Sequence, residues 1–170
     1  MNVCIIGDGL TGLSLAKNLV NKKINVHIYK KKMINNLSQN RTIGISKNNF
    51  QFFEKEIQKI TKKHTWEIKN IEIFSEKLKN NKILNFENNN NKLFYMVKNH
   101  ALYNSLNINL LKNKLFKKII IKSENFYKKI IKDNKYDLII NCEQNNPLSR
   151  KYFNKKIDKD YKNLAYTTIL

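Results

Sequence analysis

Three glycines near the start of the chain constrain its fold more than any other feature. Gly7, Gly9 and Gly12 form the pattern GxGxxG. The apolar run at residues 2–6 precedes them and is typical of a strand that is buried on both faces. Residues 11–21 follow, and their apolar side chains recur at helical spacing. The glycines therefore predict a tight turn from a strand into a helix.

A second strand completes the opening unit. Residues 25–29 form an apolar run after a short polar turn, so the chain reads as strand, helix and strand within thirty residues. Such a βαβ unit has parallel strands and a right-handed crossover. In this context GxGxxG lets a pyrophosphate approach the backbone, while the helix N-terminus directs unpaired N–H groups at it. We predict a dinucleotide-binding turn formed by Gly7, Gly9, Leu10, Thr11 and Gly12; alternatively, the glycines serve only the turn and close packing.

Two charged residues depart from the usual form of this motif. An acidic residue normally ends the second strand and accepts a hydrogen bond from a ribose hydroxyl, whereas this chain has Lys30 there. Lys30 either favours the 2′-phosphate of NADP or is simply a solvated lysine. Asp8 brings a carboxylate close to the expected phosphates. We expect that carboxylate to be tolerated only if its side chain points to solvent.

The charge of the chain does not by itself indicate a nucleic-acid partner. The formal net charge is +20, from 33 Lys and Arg against 13 Asp and Glu, but only Arg41 and Arg150 are arginines. Nucleic-acid-binding proteins usually concentrate these cations on one face and use arginines to read bases. Here the lysines are scattered, and codon bias in an A- and T-rich genome accounts for them. We expect no specific nucleic-acid binding, only weak attraction to anionic surfaces.

Several other classes of protein are excluded or disfavoured. No apolar stretch approaches the roughly 18 residues that cross a bilayer. Cys4 and Cys142 do not have metal-type or disulfide-type spacing, so we expect a reduced, cytoplasmic protein. His27, His64 and His100 are isolated from acidic residues at metal-ligand spacing. The sequence therefore predicts no metal site, and no catalytic side chain, because it has no nucleophile and base in a recognisable arrangement.

The rest of the chain alternates predicted strands and helices. The strands around Trp66 carry apolar side chains that we interpret as ordinary core. The predicted elements are a helix from Lys47 to about Ile60 with Ser46 as its N-cap, a half-buried strand at residues 66–74 with a neighbour at 83–86, a helix after residues 95–99, and a buried strand at 136–142.

With these blocks in order, the chain resembles the N-terminal half of the FAD-dependent aromatic hydroxylases of ubiquinone biosynthesis, which share the p-hydroxybenzoate hydroxylase fold. The glycine motif matches the pyrophosphate-binding glycines of that family. Residues 41–46 are similar to its Arg-Thr-Ile-Ala-Leu-Ser block, and residues 97–99 to its Val-Glu-Asn element. Residues 136–150 are similar to its Ala-Asp-Leu-Val-Val-Gly-Ala-Asp-Gly segment and the Asn and Arg that follow.

The resemblance implies roles for individual residues. It puts Arg41 against the cofactor and Asn99 at a flavin-contacting position. Glu143 and Gln144 replace the Asp-Gly pair of the family, which keeps a carboxylate on a longer arm and loses the glycine. Lys30 stands where the family has its ribose-binding acid. The second flavin motif of the family, a Gly-Asp element, would lie beyond residue 170, so we expect an incomplete domain.

The implied fold class is α/β, with a Rossmann-like FAD-binding layer and a partial β-sheet of the substrate domain. Residues 1–65 and 95–150 would form the dinucleotide-binding part, and residues 66–94 and 160–170 would start the substrate-domain sheet. NAD(P)H would reduce FAD, and the flavin with O2 would hydroxylate the aromatic ring of a polyprenylated ubiquinone precursor.

The resemblance also suggests partners. These are the polyprenyl-phenol substrate, other enzymes of ubiquinone biosynthesis and peripheral contact with the inner membrane, whose anionic lipids attract lysines. Two alternatives stay open. The chain is a non-catalytic nucleotide-binding or scaffold protein of the same family, or it is an NADP-dependent reductase.

Overall fold

The chain alternates short strands and helices from its first residues onward. The computed structural model describes residues 1–32, 41–75, 81–87, 92–143, 146–152 and 162. The expectation of an α/β fold is confirmed, because the structure combines helices with a parallel sheet. The described elements are β1 (Asn2–Ile6), α1 (Leu10–Asn21), β2 (Asn25–Lys30), β3 (Thr42–Ser46), α2 (Lys47–Glu56), a 3-10 turn (Lys62–His64), β4 (Thr65–Ile68), β5 (Asn70–Ser75), β6 (Asn81–Glu87), β7 (Phe94–Lys98), α3 (Asn99–Leu111), β8 (Phe116–Ile120), α4 (Asn125–Lys132), β9 (Leu138–Asn141) and α5 (Pro147–Tyr152).

The parallel sheet has the strand order β8-β2-β1-β9. Val3 of β1 lies opposite Val26 of β2 on one side and Leu138 of β9 on the other. β1 is therefore central, and its side chains from Val3 to Ile6 are completely buried. The apolar run at residues 2–6 is explained by this position, since a central parallel strand is covered on both faces.

Helices cover both faces of this sheet. Val3 and Ile5 belong to a core that includes side chains of α1, α2 and α3, such as Leu13. Cys4 and Ile6 point to the opposite face because successive side chains of a strand alternate, and they pack with side chains of α4 and α5. The carboxyl ends of all four strands meet at one edge, which is where open α/β sheets bind ligands.

The antiparallel strands differ from their prediction. The strand predicted at residues 66–74 is divided in two at Lys69. β4 joins a three-stranded sheet of order β3-β7-β4, whereas β5 pairs with β6 as a separate hairpin. Pairing of β5 with β6 was predicted and is confirmed. The interpretation of their apolar residues as core is wrong, because Ile73, Phe74, Leu84 and Phe86 are 42–54% exposed.

Helix α2 is shorter than the sequence predicts. It ends at Glu56 rather than near Ile60, and Ile57 is its C-cap. The apolar residues of the predicted face, Phe50, Phe53, Ile57 and Ile60, are nevertheless all buried. Ser46 caps the helix as predicted, since its hydroxyl accepts a hydrogen bond from the Asn49 N–H.

The predicted boundaries between a dinucleotide-binding part and a substrate-domain sheet stay a prediction. Of residues 160–170, only Lys162 belongs to the described part of the chain. Within the described ranges, no helix is long and apolar enough to cross a bilayer. The same ranges contain no group of three His, Cys, Asp or Glu side chains that is arranged to hold a metal ion.

Candidate dinucleotide-binding site

Gly7 forms the turn out of β1, and the structure requires a glycine there. Its φ is +103°, a conformation that side chains with a Cβ rarely adopt. A Cβ on Gly7 would lie 3.1 Å from the carbonyl carbon of Cys142 and 3.1 Å from the Cβ of Glu143. The Gly7 N–H donates to the Tyr29 carbonyl oxygen at 2.8 Å, which fixes the turn against the end of β2.

Gly12 allows α1 to cross the end of β1 at very short range. A Cβ on Gly12 would lie 2.1 Å from the Gly7 carbonyl oxygen and 3.2 Å from its carbon. Both contacts are with backbone atoms, which a side-chain rotation cannot relieve. The third glycine of the motif therefore serves close packing, as predicted.

Gly9 differs from the other two glycines because it faces open space. Among the described residues, no atom lies within 4 Å of the position that its Cβ would occupy. It is the N-cap of α1 and has no side chain that caps the helix, and no acidic residue lies in the first turn. The first helical hydrogen bond runs from the Leu13 N–H to the Gly9 carbonyl, so the N–H groups of Leu10, Thr11 and Gly12 lack a helical acceptor. This end of α1 has both the room and the donors for an anion.

Asp8 does not point to solvent, so that expectation is wrong. The residue is only 8% exposed, and its Oδ2 accepts hydrogen bonds from Lys118 Nζ and from the Tyr103 hydroxyl, each at 2.9 Å. Lys30 Nζ lies 3.7 Å from the same oxygen. Lys118 also donates to Asn107 Oδ1 at 2.7 Å. The carboxylate is tolerated inside the protein because α3 and β8 bring these partners against the glycine turn.

This network keeps Asp8 ionised. Burial alone would raise the pKa of the carboxyl, but the hydrogen bonds from Lys118 and Tyr103, together with the charges of Lys118 and Lys30, outweigh that effect. The pKa of Asp8 therefore lies below its ordinary value. Burial raises the pKa of the Tyr103 hydroxyl, and the adjacent Asp8 raises it further, so the tyrosine remains a neutral donor.

Asp8 is expected to contribute to the resistance of the protein to acid. The folded protein binds a proton at Asp8 less readily than the unfolded chain, so this stabilisation is complete above the unfolded pKa near 3.8 and is lost as the pH falls through the lower folded pKa. Asp8→Asn should lower the free energy of unfolding by about 3 kcal/mol at pH 7, because Lys118 is left without its buried partner. Urea unfolding between pH 2 and pH 7 measures both effects.

A matched control is Asp137→Asn. Asp137 Oδ2 accepts a hydrogen bond from the Asn2 N–H at the amino end of the sheet, at an exposed position. In Asp137→Asn, the free energy of unfolding should still fall at low pH by the amount that Asp8 causes in the wild type. A dependence on pH that is the same in Asp8→Asn as in the wild type would contradict the ion-pair network.

Glu143 lies at the same edge, directly after β9. Its Oε1 is 2.8 Å from Lys31 Nζ, whereas its Oε2 is buried without a hydrogen-bond partner among the described residues. The hydrogen bond with Glu143 raises the pKa of Lys31 above its ordinary value. The Glu143 carbonyl accepts hydrogen bonds from Asn146 Nδ2 and Ser149 Oγ. These bonds fix the backbone of Glu143, while one oxygen of its carboxylate has no hydrogen-bond partner among the described residues. Gln144, the other residue of the pair, lies outside the described residues.

Arg41 and Asn99 are brought together, although they lie far apart in the sequence. β3 pairs with β7, and the Asn99 N–H donates to the Arg41 carbonyl oxygen at 2.9 Å. Asn99 begins α3, and Tyr103, four residues later on the same face, contacts Asp8. Asn99 therefore lies on the side of α3 that faces the glycine turn. That Arg41 and Asn99 contact a flavin stays a prediction.

Sequence reasoning missed two residues of this edge, Tyr103 and Lys118. Tyr103 stands at helical spacing from Asn99, which is a weak signal that both share one face. Lys118 gave no signal, because it is one lysine among many. The predicted residues Gly7, Gly9, Gly12, Lys30 and Glu143 do come together at the carboxyl ends of the parallel strands, and Leu10 and Thr11 form the first turn of α1.

No protein-family model matches the sequence, and no curated protein matches it. Solved structures do match the fold. A proposed FAD-containing monooxygenase from Photorhabdus luminescens subsp. laumondii TTO1 superimposes with a TM-score of 0.52 and 18% identity over 69% of this chain and 30% of that protein. P. aeruginosa PqsL, solved with 2-aminobenzoylacetate, superimposes with a TM-score of 0.58. It is 12% identical over 71% of this chain and 33% of PqsL. A geranylgeranyl bacteriochlorophyll reductase-like protein from Thermoplasma acidophilum superimposes with a TM-score of 0.53. It is 13% identical over 70% of this chain and 29% of that protein.

The likeness is one of fold. At 12–18% identity, these structures show the fold alone, an α/β fold shared with a proposed FAD-containing monooxygenase. The chain spans about a third or less of the length of each of these proteins.

Proposed function

We propose that this chain is the FAD-binding part of a flavin-dependent monooxygenase that hydroxylates an aromatic ring. One observation carries the proposal. The N-terminus of α1 is uncapped and faces open space at Gly9, at the carboxyl edge of the parallel sheet. A diphosphate fits such a place, because bare backbone amides and the positive end of a helix dipole meet it there.

The residues around the turn suit a diphosphate in charge as well as in shape. Leu10, Thr11 and Gly12 supply N–H donors, and the absence of a side chain on Gly9 permits close approach. Lys30 and Lys118 neutralise Asp8, and Lys31 neutralises Glu143. Among these five described side chains, three ammonium groups against two carboxylates give a net positive charge, which reduces the repulsion between the carboxylates and the phosphates.

Bound FAD would supply two kinds of chemistry, which are the uptake of reducing equivalents from NAD(P)H and the activation of O2. The residues of this chain bind and orient it. Arg41 and Asn99, which meet where β3 begins and β7 passes into α3, contact the flavin end. The free Oε2 of Glu143 is an acceptor for a hydroxyl group of the cofactor. No side chain of the chain needs to act as a nucleophile.

The substrate that we propose is a polyprenylated phenol, a precursor of ubiquinone. Support for it comes from the resemblance of four blocks in the same order, at residues 7–12, 41–46, 97–99 and 136–150. A substrate with a long apolar tail is reached most readily at a membrane surface. The abundant lysines favour peripheral contact with anionic lipids and contact with other enzymes of the pathway.

The binding of FAD is tested by thermal unfolding of the purified chain with different nucleotides. FAD at one hundred times its Kd should stabilise the protein by about 2.7 kcal/mol, which raises the Tm by about 5–10 °C. ADP should compete with it. FMN, which lacks the adenylate and carries a single phosphate, should produce little shift.

The same experiment separates the alternatives. Protection by NADPH without protection by FAD would favour the NADP-dependent reductase, for which Lys30 is the only argument. Lys30 already lies 3.7 Å from a protein carboxylate, which offsets its attraction for a 2′-phosphate. Protection by no nucleotide would contradict the proposed function and favour the scaffold protein.

A further inference from the structure

The end of β2 lacks the carboxylate that usually holds the adenosine ribose. Lys30 occupies that position, and an ammonium group has donors but no acceptor. A ribose hydroxyl at this place would therefore have no acceptor from the side chain of residue 30. A dinucleotide site without one would discriminate poorly between ribose and deoxyribose.

A carboxylate nevertheless lies at this place, and it comes from the glycine turn. Asp8 Oδ2 is 3.7 Å from Lys30 Nζ and 2.9 Å from Lys118 Nζ. Lys30 shares a face of β2 with Val26 and Ile28 because side chains alternate, and Lys118 pairs in register with Ile28. Asp8 therefore lies on the face toward which residue 30 projects.

The carboxylate of Asp8 is held by one oxygen and leaves the other for a ligand. Oδ2 is paired with Lys118 and Lys30 and accepts a hydrogen bond from the Tyr103 hydroxyl. No described residue donates a hydrogen bond to Oδ1. An ionised carboxylate accepts at both oxygens. The side chain of Asp8 retains about a tenth of its full exposure, so it is fixed in position without being closed off.

We infer that Asp8 replaces the missing acid of β2 and that its Oδ1 accepts a hydrogen bond from the 2′-hydroxyl of the adenosine ribose. The inference rests on the proposed function, because it needs an adenine dinucleotide in the glycine turn. Lys30, Lys118 and Tyr103 act as positioning residues that hold the carboxylate. The usual motif has the acid at the end of β2. Here the acid is Asp8 in the glycine turn and the residue at the end of β2 is Lys30, so a carboxylate still lies beside the ribose.

Glu143 is the other carboxylate at this edge and the natural competitor for the role. It follows β9 on the far side of β1 from β2, and its partner is Lys31 rather than Lys30. Its side chain is a quarter exposed, whereas that of Asp8 is a tenth exposed. Asp8 is favoured because its carboxylate lies against the residue from which the acid is missing.

The test compares ADP with 2′-deoxy-ADP by isothermal titration calorimetry. The wild-type chain should bind 2′-deoxy-ADP about 10- to 100-fold more weakly, as expected for the loss of a hydrogen bond to a charged group. Asp8→Ala should bind the two nucleotides with equal affinity, whereas Asp137→Asn, which removes an exposed carboxylate at the amino end of the sheet, should keep the wild-type ratio. Asp8→Ala combined with Lys30→Glu returns the acid to β2 and should restore the ratio.

Each outcome bears on one of the two proposals. A wild-type chain that does not bind ADP contradicts the proposed function itself. A wild-type chain that binds ADP and 2′-deoxy-ADP equally overturns the role of Asp8 and leaves the phosphate site standing, as does an unchanged ratio in Asp8→Ala or a lost ratio in Asp137→Asn. Circular dichroism verifies folding. If Asp8→Ala is unfolded, the double variant is used instead, because it keeps a carboxylate beside Lys118. A preference of the double variant for ADP over 2′-deoxy-ADP supports the inference, and equal affinities contradict it.

Discussion

Gly12→Ala is expected to lower the free energy of unfolding by at least about 4 kcal/mol, a large part of the 5–15 kcal/mol of a typical domain. The new Cβ would lie 2.1 Å from the Gly7 carbonyl oxygen. Gly7 cannot yield, because its N–H is bonded to Tyr29 and its other side meets Cys142. Relief therefore requires α1 to move away from β1, which opens the core on that face of the sheet.

Urea unfolding followed by circular dichroism measures this loss. The matched control is Gly44→Ala, because a Cβ on Gly44 would make only an ordinary contact, 3.5 Å from Met96 Sδ. That variant should unfold at nearly the wild-type urea concentration. A Gly12→Ala curve that superimposes on the wild-type curve would contradict the close approach of α1 to β1.

Gly9→Leu is expected to weaken FAD binding at least about 100-fold while the fold is retained. The φ and ψ of Gly9, −68° and 178°, are accessible to any residue, and no atom in the described part of the chain lies within 4 Å of its Cβ position. The leucine side chain would instead occupy the space of the diphosphate and cover the first-turn amides. Removing the dominant charged contacts of a ligand costs several kcal/mol, and each 1.4 kcal/mol is tenfold in Kd.

Fluorescence titration of FAD measures the affinity, and thermal unfolding verifies that the variant is folded. Lys22→Leu is a suitable control, because it adds an exposed leucine at the opposite end of the same helix. It should bind FAD like the wild type. Gly9→Ala should give an intermediate loss. If Gly9→Leu binds FAD as tightly as the wild type, the diphosphate does not lie against this turn.

The glycine turn could be predicted from the sequence because its constraints are local. Gly7, Gly9 and Gly12 lie within one turn between a strand and a helix, so spacing alone fixes what each must do. The environment of Asp8 could not be predicted in this way. Its partner Tyr103 is 95 residues further along the chain, and Lys118 follows later still. Only the packing of α3 and β8 against the turn makes a buried carboxylate favourable.

The missed and divided strands have physical reasons as well. Lys117 and Lys118 interrupt the apolar pattern of β8, so the strand resembles a solvated segment, yet Lys118 is half-buried, where Asp8 and Asn107 accept its hydrogen bonds. The apolar residues of the segment 66–74 stand at 66 and 68 and then at 71 and 73, so the alternation breaks at Lys69 and Asn70, although a single strand is predicted there. β4 pairs with β7 and β5 pairs with β6, so the segment belongs to two different sheets. The local sequence pattern does not indicate these pairing partners.

The central claim is that the first turn of α1 binds the diphosphate of FAD, and amide NMR tests it most directly. The ¹⁵N-labelled chain is titrated with FAD while the N–H resonances of Leu10, Thr11 and Gly12 are followed. We predict that these three resonances shift most and saturate together, and that ADP shifts them in the same way while riboflavin does not. Saturable FAD binding that leaves these three amides unchanged, or no binding at all, would contradict the claim.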